Sequence, residues 1–227
     1  MIFAPKVYRK EKLAKNCSFL ELKSSDGTLL EGVIYEPLNA ESTMLFFSGK
    51  EHDVVGIINK LSQNYPTIRI ISFNYRSYGR SQGRLTEQNI LNDGIEIADI
   101  VKKNYGEFFL VGYSLGSVIA SFIASKRQVN SLILLGAFNS LASLIKERFF
   151  NISYLLRYKL FTGVYLEKTN TKTYIFVSKN DEVVPIKNAR ELKNRVKNLV
   201  SYEELEHLSH QEILWDERVI EKISTIY

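Results

Sequence analysis

Two apolar patterns divide the chain. Residues 18–24 alternate between apolar and polar side chains, Asp26-Gly27 supplies a turn, and residues 28–35 continue as a partner run. This predicts an antiparallel hairpin at the edge of a sheet. After Pro37 the alternation stops. Short apolar runs stand at 44–47, 68–73, 108–111, 132–135 and 174–177. Strands covered on both faces read this way, because neither face meets water. Between them lie helical patterns at 54–63, 87–103, 115–127 and 186–196. In the second of these, Ile90, Leu91, Ile95, Ala98 and Val101 fall near one face. A last strand at 199–205 and a last helix at 211–223 complete the pattern. Strand–helix alternation of this kind predicts an α/β fold with a mostly parallel, doubly wound sheet and right-handed crossovers.

Residues 139–170 break the alternation. They hold Phe149, Phe150, Ile152, Tyr154, Leu155, Leu156, Tyr158, Leu160 and Phe161. This reads either as a small helical lid over a cleft or as a helix that only covers the sheet. With no Pro/Gly/Ser linker and no repeat, the expectation is one domain over 1–227, with a basic arm at 1–17.

Composition narrows the class. Hydrophobic residues make up 45% and charged residues 24% of 227 positions, which excludes disordered and collagen-like chains. One cysteine, Cys17, excludes an internal disulfide and a cysteine-rich zinc site. Residues 108–125 and 128–145 carry no charged side chain and could be taken for a membrane hairpin. The first stretch, however, holds Ser114, Ser117, Ser121 and Ser125, and the second holds Gln128, Asn130, Asn139 and Ser143. Such side chains are costly in hydrocarbon. Each stretch splits more naturally into a buried strand and a polar-marked segment. The N-terminus lacks the apolar run of about 7–15 residues that marks a secretory signal. With the lone cysteine, this gives the expectation of a cytoplasmic protein. Most of the formal charge of +5 sits in Lys6, Arg9, Lys10, Lys12 and Lys15. Such an arm reads as a solvated tail, with peripheral contact to anionic membrane as the functional alternative. No nucleic-acid module accompanies it.

The chemistry centres on Gly112-Tyr113-Ser114-Leu115-Gly116, a G-x-S-x-G sequence between a predicted strand and a predicted helix. That context suits a nucleophilic serine on a tight strand-to-helix turn. The turn would hold Ser114 in a sparsely populated backbone conformation, at a cost of about 1–3 kcal/mol. A serine needs a base. Of His52, His207 and His210, the last two follow Ser114 in the chain, as the order serine, acid, histidine requires. The acid should stand just past the 174–177 strand. Asp181 is the better candidate there and Glu182 the alternative. The oxyanion needs two backbone donors, expected from Leu115 and from Lys50 in the turn Ser48-Gly49-Lys50-Glu51. No metal or organic cofactor is implied.

Together these residues resemble the α/β-hydrolase superfamily, and more narrowly its compact serine hydrolases, including the depalmitoylase-like branch. The likeness runs from Phe19 to Trp215. Its most specific part is Asn74-Tyr75-Arg76-Ser77-Tyr78-Gly79-Arg80-Ser81-Gln82-Gly83, similar to an Asp-Tyr-Arg-Gly-Tyr-Gly-x-Ser-x-Gly segment. Asp93 matches a common structural position on the following helix. Leu208-Ser209-His210-Gln211-Glu212 aligns best with His210 as the base, leaving His207 as a loop residue. The chain departs from the pattern at Ser48 (usually His), Asn74 (usually Asp) and Ser178 (often Gly), lacks the Gly before the last His, and shows no preceding membrane anchor. The resemblance implies a Ser114-His210-Asp181 hydrolase of small-molecule esters or thioesters. A non-catalytic scaffold of the same fold is the rival, motivated by Ser48. A haloalkane dehalogenase is disfavoured because it would need Asp at position 114.

Overall fold

The computed structural model describes residues 12–148 and 160–226, with only the backbone given at 145–148. Eight strands form one sheet in the order β1-β2-β4-β3-β5-β6-β7-β8. β1 (Cys17–Lys23) and β2 (Leu29–Tyr35) are the expected hairpin, and β2 also runs antiparallel to β4 (Ile68–Phe73). β3 (Ser42–Phe47), β4, β5 (Phe109–Tyr113), β6 (Leu132–Leu135), β7 (Thr173–Ser178) and β8 (Leu199–Leu205) pair in parallel.

The uninterrupted apolar runs are explained by helices on both faces. Leu110, Leu132 and Leu134 point into one core with Val118, Ile119, Ile97 and Leu192. Phe109, Val111, Ile133 and Leu135 point into the other with Ile58, Leu61, Leu214 and Val219. α2 (Glu87–Tyr105), α3 (Leu115–Ala124) and α6 (Ile186–Lys193) cover the first face. α1 (Val54–Asn64) and α7 (Glu217–Ile223) cover the second. Each fully buried Leu or Ile in these layers contributes about 1.5–3 kcal/mol relative to exposure.

Two expectations need correction. The helix read at 211–223 is split into a short 3-10 turn, Glu212–Trp215, and α7. Asp216 divides them: its backbone is extended and its side chain accepts the Arg218 N–H, capping α7. The basic arm is also shorter than 1–17. Ala14 N–H donates to Asn59 Oδ1 at 2.7 Å, the Asn59 side-chain NH₂ donates to the Lys12 carbonyl at 2.8 Å, and Leu13 packs on the second core, so residues 12–14 are docked, and Cys17 already belongs to β1. Residues 1–11 lie outside the described residues.

The 139–170 segment supplies α4 (Leu141–Arg148) and α5 (Thr162–Leu166). Within it, Ser140 and Phe161 form an antiparallel bridge just before α4 and just before α5. Asn188 anchors it, accepting from Asn139 N–H and donating to Ser143 Oγ. The apolar residues read as lid-forming between Phe149 and Tyr158 lie outside the described residues. No helix among the described residues is long and apolar enough to cross a membrane. The uncharged stretches 108–125 and 128–145 are instead built around β5 and α3, and around β6 and the start of α4.

Candidate active site

The site forms where β3, β5, β7 and β8 end. All four are parallel, so their loops leave the sheet on one side. Ser114 sits between β5 and α3 with φ 52° and ψ −115°, the unusual backbone expected of a strand-to-helix nucleophile turn. The flanking glycines are required by close approach. A Cβ on Gly112 would lie 2.6 Å from the Gly116 carbonyl oxygen. A Cβ on Gly116 would lie 2.0 Å from the Phe47 carbonyl oxygen. Absence of these side chains lets α3 start directly against β3 and β5.

Three distant segments converge here. Ser114 Oγ lies 2.8 Å from His210 Nε2, and His210 Nδ1 lies 2.7 Å from Asp181 Oδ2. A carboxylate only accepts hydrogen bonds, so the proton belongs on Nδ1 and the Nε2 lone pair faces the hydroxyl. The Asp181 and His210 side chains are only 2% and 7% exposed, which screens their pairing little. The other Asp181 oxygen, Oδ1, accepts the N–H groups of Val183 and Val184 at 2.8 and 2.6 Å.

The alternatives fall elsewhere. His207 is 89% exposed, beside Glu206. The His52 ring lies 5.5 Å from the Tyr113 ring. It is Asp181 that meets the imidazole Nδ1; Glu182 Oε2 accepts the His210 backbone N–H at 2.9 Å. Asp93 binds Arg76 Nε and Nη2 at 2.8 and 2.7 Å, while Arg76 Nη1 reaches Asp26 in the hairpin turn. That makes Asp93 a structural partner, as the resemblance implies.

The turn after β3 lies directly beside the serine. A Cβ on Gly49 would be 3.4 Å from Ser114 Cβ. Its three successive carbonyls are all occupied. Tyr75 OH donates to Ser48 O at 2.6 Å, His52 N–H to Gly49 O at 3.3 Å, and Tyr78 OH to Lys50 O at 2.8 Å. Fixing a carbonyl fixes the N–H of the same planar peptide, so the amides of Gly49, Lys50 and Glu51 are pre-oriented. Leu115 opens α3, where first-turn N–H groups lack intrahelical partners.

The departure at Asn74 has a local cause. Its side-chain NH₂ donates to both Glu31 Oε2 and Asp53 Oδ1, at 3.1 and 2.9 Å, and its oxygen accepts the Val54 N–H. An aspartate would set three carboxylates together and remove the NH₂ that bridges Glu31 and Asp53. Tyr75 and Tyr78 were within the recognisable ten-residue segment, but their hydroxyl partners had no sequence signal. Gly136 carries no sequence signal for its place beside the site. It has φ +54°, and a Cβ there would lie 3.0 Å from His210 Cε1. In sequence it is only a glycine following an apolar run.

No protein-family model matches the chain. An uncharacterized protein, R595 of Acanthamoeba polyphaga mimivirus, is 26% identical over 209 residues, covering 81% of this chain and 71% of that protein. Protein L404 of the same virus, which bears an alpha/beta hydrolase name, is 24% identical over 201 residues, covering 84% and 75%. Among solved structures, the Pyrococcus furiosus esterase Pf2001 superposes with a TM-score of 0.76 at 14% identity, covering 98% of this chain and 97% of its own. An alpha-beta hydrolase from Vibrio vulnificus gives 0.77 at 16% identity, covering 94% and 82%. An alpha-beta serine hydrolase homologue from Coxiella burnetii gives 0.66 at 18% identity, covering 94% and 96%. Strand order, the turn at Ser114 and these superpositions agree: this chain has the α/β-hydrolase fold.

Proposed function

We propose that the protein is a serine hydrolase that cleaves carboxylic esters or thioesters through an acyl-enzyme. The observation that carries this reading is the unbroken hydrogen-bonded chain from Ser114 Oγ through the His210 ring to Asp181. Ser114 Oγ attacks the substrate carbonyl carbon while His210 Nε2 takes its proton. Asp181 holds the ring and stabilises the imidazolium that forms. The Leu115 and Lys50 amides receive the developing oxyanion, an interaction for which loss of one donor typically costs about 3–4 kcal/mol. His210 then protonates the leaving oxygen or sulfur, and the acyl group stays on Ser114. Water, deprotonated by His210, attacks the acyl carbon; the bond to Ser114 Oγ breaks, His210 returns the proton to Oγ, and the acid is freed. Every step uses this chain's own groups. The apolar composition of 139–170 favours a fatty or aromatic acyl group over a small polar one.

Labelling with a fluorophosphonate, followed by aryl esters and thioesters of graded acyl length, tests the reading. The expected result is covalent labelling of the parent chain, lost in Ser114→Ala, with turnover that rises with acyl length. A parent chain that neither labels nor cleaves any ester or thioester would favour a non-catalytic scaffold of the same fold.

A further inference from the structure

His210 lies on the loop after β8, and a loop alone does not hold a base to a few tenths of an ångström. Its backbone N–H donates to Glu182 Oε2 at 2.9 Å, and its backbone carbonyl accepts from Tyr113 OH at 3.1 Å. Side chains, not secondary structure, take both main-chain groups. Those side chains have a telling origin. Tyr113 immediately precedes Ser114, and Glu182 immediately follows Asp181. Resting on the serine-hydrolase reading, we propose that Tyr113 and Glu182 are positioning residues that clasp the His210 main chain and thereby fix the imidazole between Ser114 and Asp181.

The geometry forms two closed circuits. One runs from Ser114 Oγ through the His210 ring and carbonyl to Tyr113, then back across one peptide link. The other runs from Asp181 Oδ2 through the ring and the His210 N–H to Glu182, again closed by one peptide link. A displacement of the ring has to stretch a hydrogen bond in each. The Tyr113 ring adds a wall, its centroid 5.2 Å from the imidazole and inclined by 33°. Burial, with the nearby carboxylates of Asp181, Glu182 and Glu51, raises the Tyr113 phenol far above its ordinary range and keeps it a neutral donor.

The test compares Glu182→Met, Glu182→Gln and Tyr113→Phe in the full chain. Aryl-ester kinetics, thermal midpoints and the low-field proton NMR signal of the His210 Nδ1–H are measured for each. Glu182→Met and Tyr113→Phe should each lower kcat by about 10- to 100-fold, with KM held within about twofold. Glu182→Gln keeps an acceptor oxygen and should restore turnover to within about threefold of the parent. A Gln variant as impaired as the Met variant would assign the effect to charge and overturn the clasp. The NMR signal does not depend on turnover. It should be sharp in the parent and in Glu182→Gln, and broadened or lost in the other two. That pattern in a chain that hydrolyses no ester would sink the hydrolase reading and keep the clasp. A signal absent from the parent, or unchanged in both disruptive variants, overturns it.

Discussion

At the scale of single residues, the proposed mechanism separates groups that would touch the reacting atoms from groups that make room for them. His210→Ala should lower kcat by about four orders of magnitude or more, since members of such a unit fail together. His207→Ala, at an exposed position 4.0 Å from Glu206, should change turnover by less than about twofold. The reverse outcome in a side-by-side assay would reassign the base. Gly136→Ala belongs to the second kind. A methyl group there meets the imidazole, and the positive φ adds strain. It should lower kcat by about 100-fold, through displacement of the ring, while the labelled residue remains Ser114. The convergence of Ser114, Asp181 and His210 was legible in the sequence because the chemistry proposed for them restricts residue type and order. Gly136, Asn74 and the roles of Tyr113 and Glu182 were not. Their importance lies in distances between segments far apart in the chain, and residue type alone does not encode those.

At the scale of elements, the strands were legible because a strand buried on two faces has to be apolar at every position. The β4 and β6 runs coincide with Ile68–Phe73 and Leu132–Leu135. Helix ends were less legible. α3 stops at Ala124 rather than continuing to residue 127, where the Ser125 hydroxyl bonds back to the Phe122 carbonyl. The β1–β2 hairpin carries its own testable electrostatics. The Arg76 guanidinium, with the Ser24 and Thr28 hydroxyls, holds the Asp26 carboxyl well below the usual carboxylate range. A depressed folded-state pKa gives stability that is present above the unfolded value of about 3.9 and lost as pH falls through the lower folded value. Asp26→Asn should therefore be less stable than the parent at neutral pH, with the difference narrowing in acid. Thermal midpoints measured from pH 7 downward check this. A constant gap between the two chains would exclude the Asp26–Arg76 pair as its source.

At the scale of the whole molecule, the chain is laid out so that one end of one sheet gathers every candidate catalytic group, while the N-terminal residues dock on α1, the first helix of the chain. Cutting off residues 1–11 leaves the Ala14–Asn59 contact in place. Such a truncation should keep the parent's kcat and KM within about twofold. If the basic arm is a lipid contact, the same truncation should reduce sedimentation with vesicles containing anionic lipid, and more so at low salt. Equal sedimentation of both chains would reduce the arm to a solvated tail. The sheet order carries one last consequence. Ser114 stands at the end of the inner strand β5, whereas His210 follows the edge strand β8, near the end of the chain. On the ribosome, more than ninety residues must therefore be added after Ser114 before its hydrogen-bond partner His210 exists. On the serine-hydrolase reading proposed above, the candidate nucleophile is thus synthesised well before its candidate base, and the pair cannot form until the last strand of the sheet has been made.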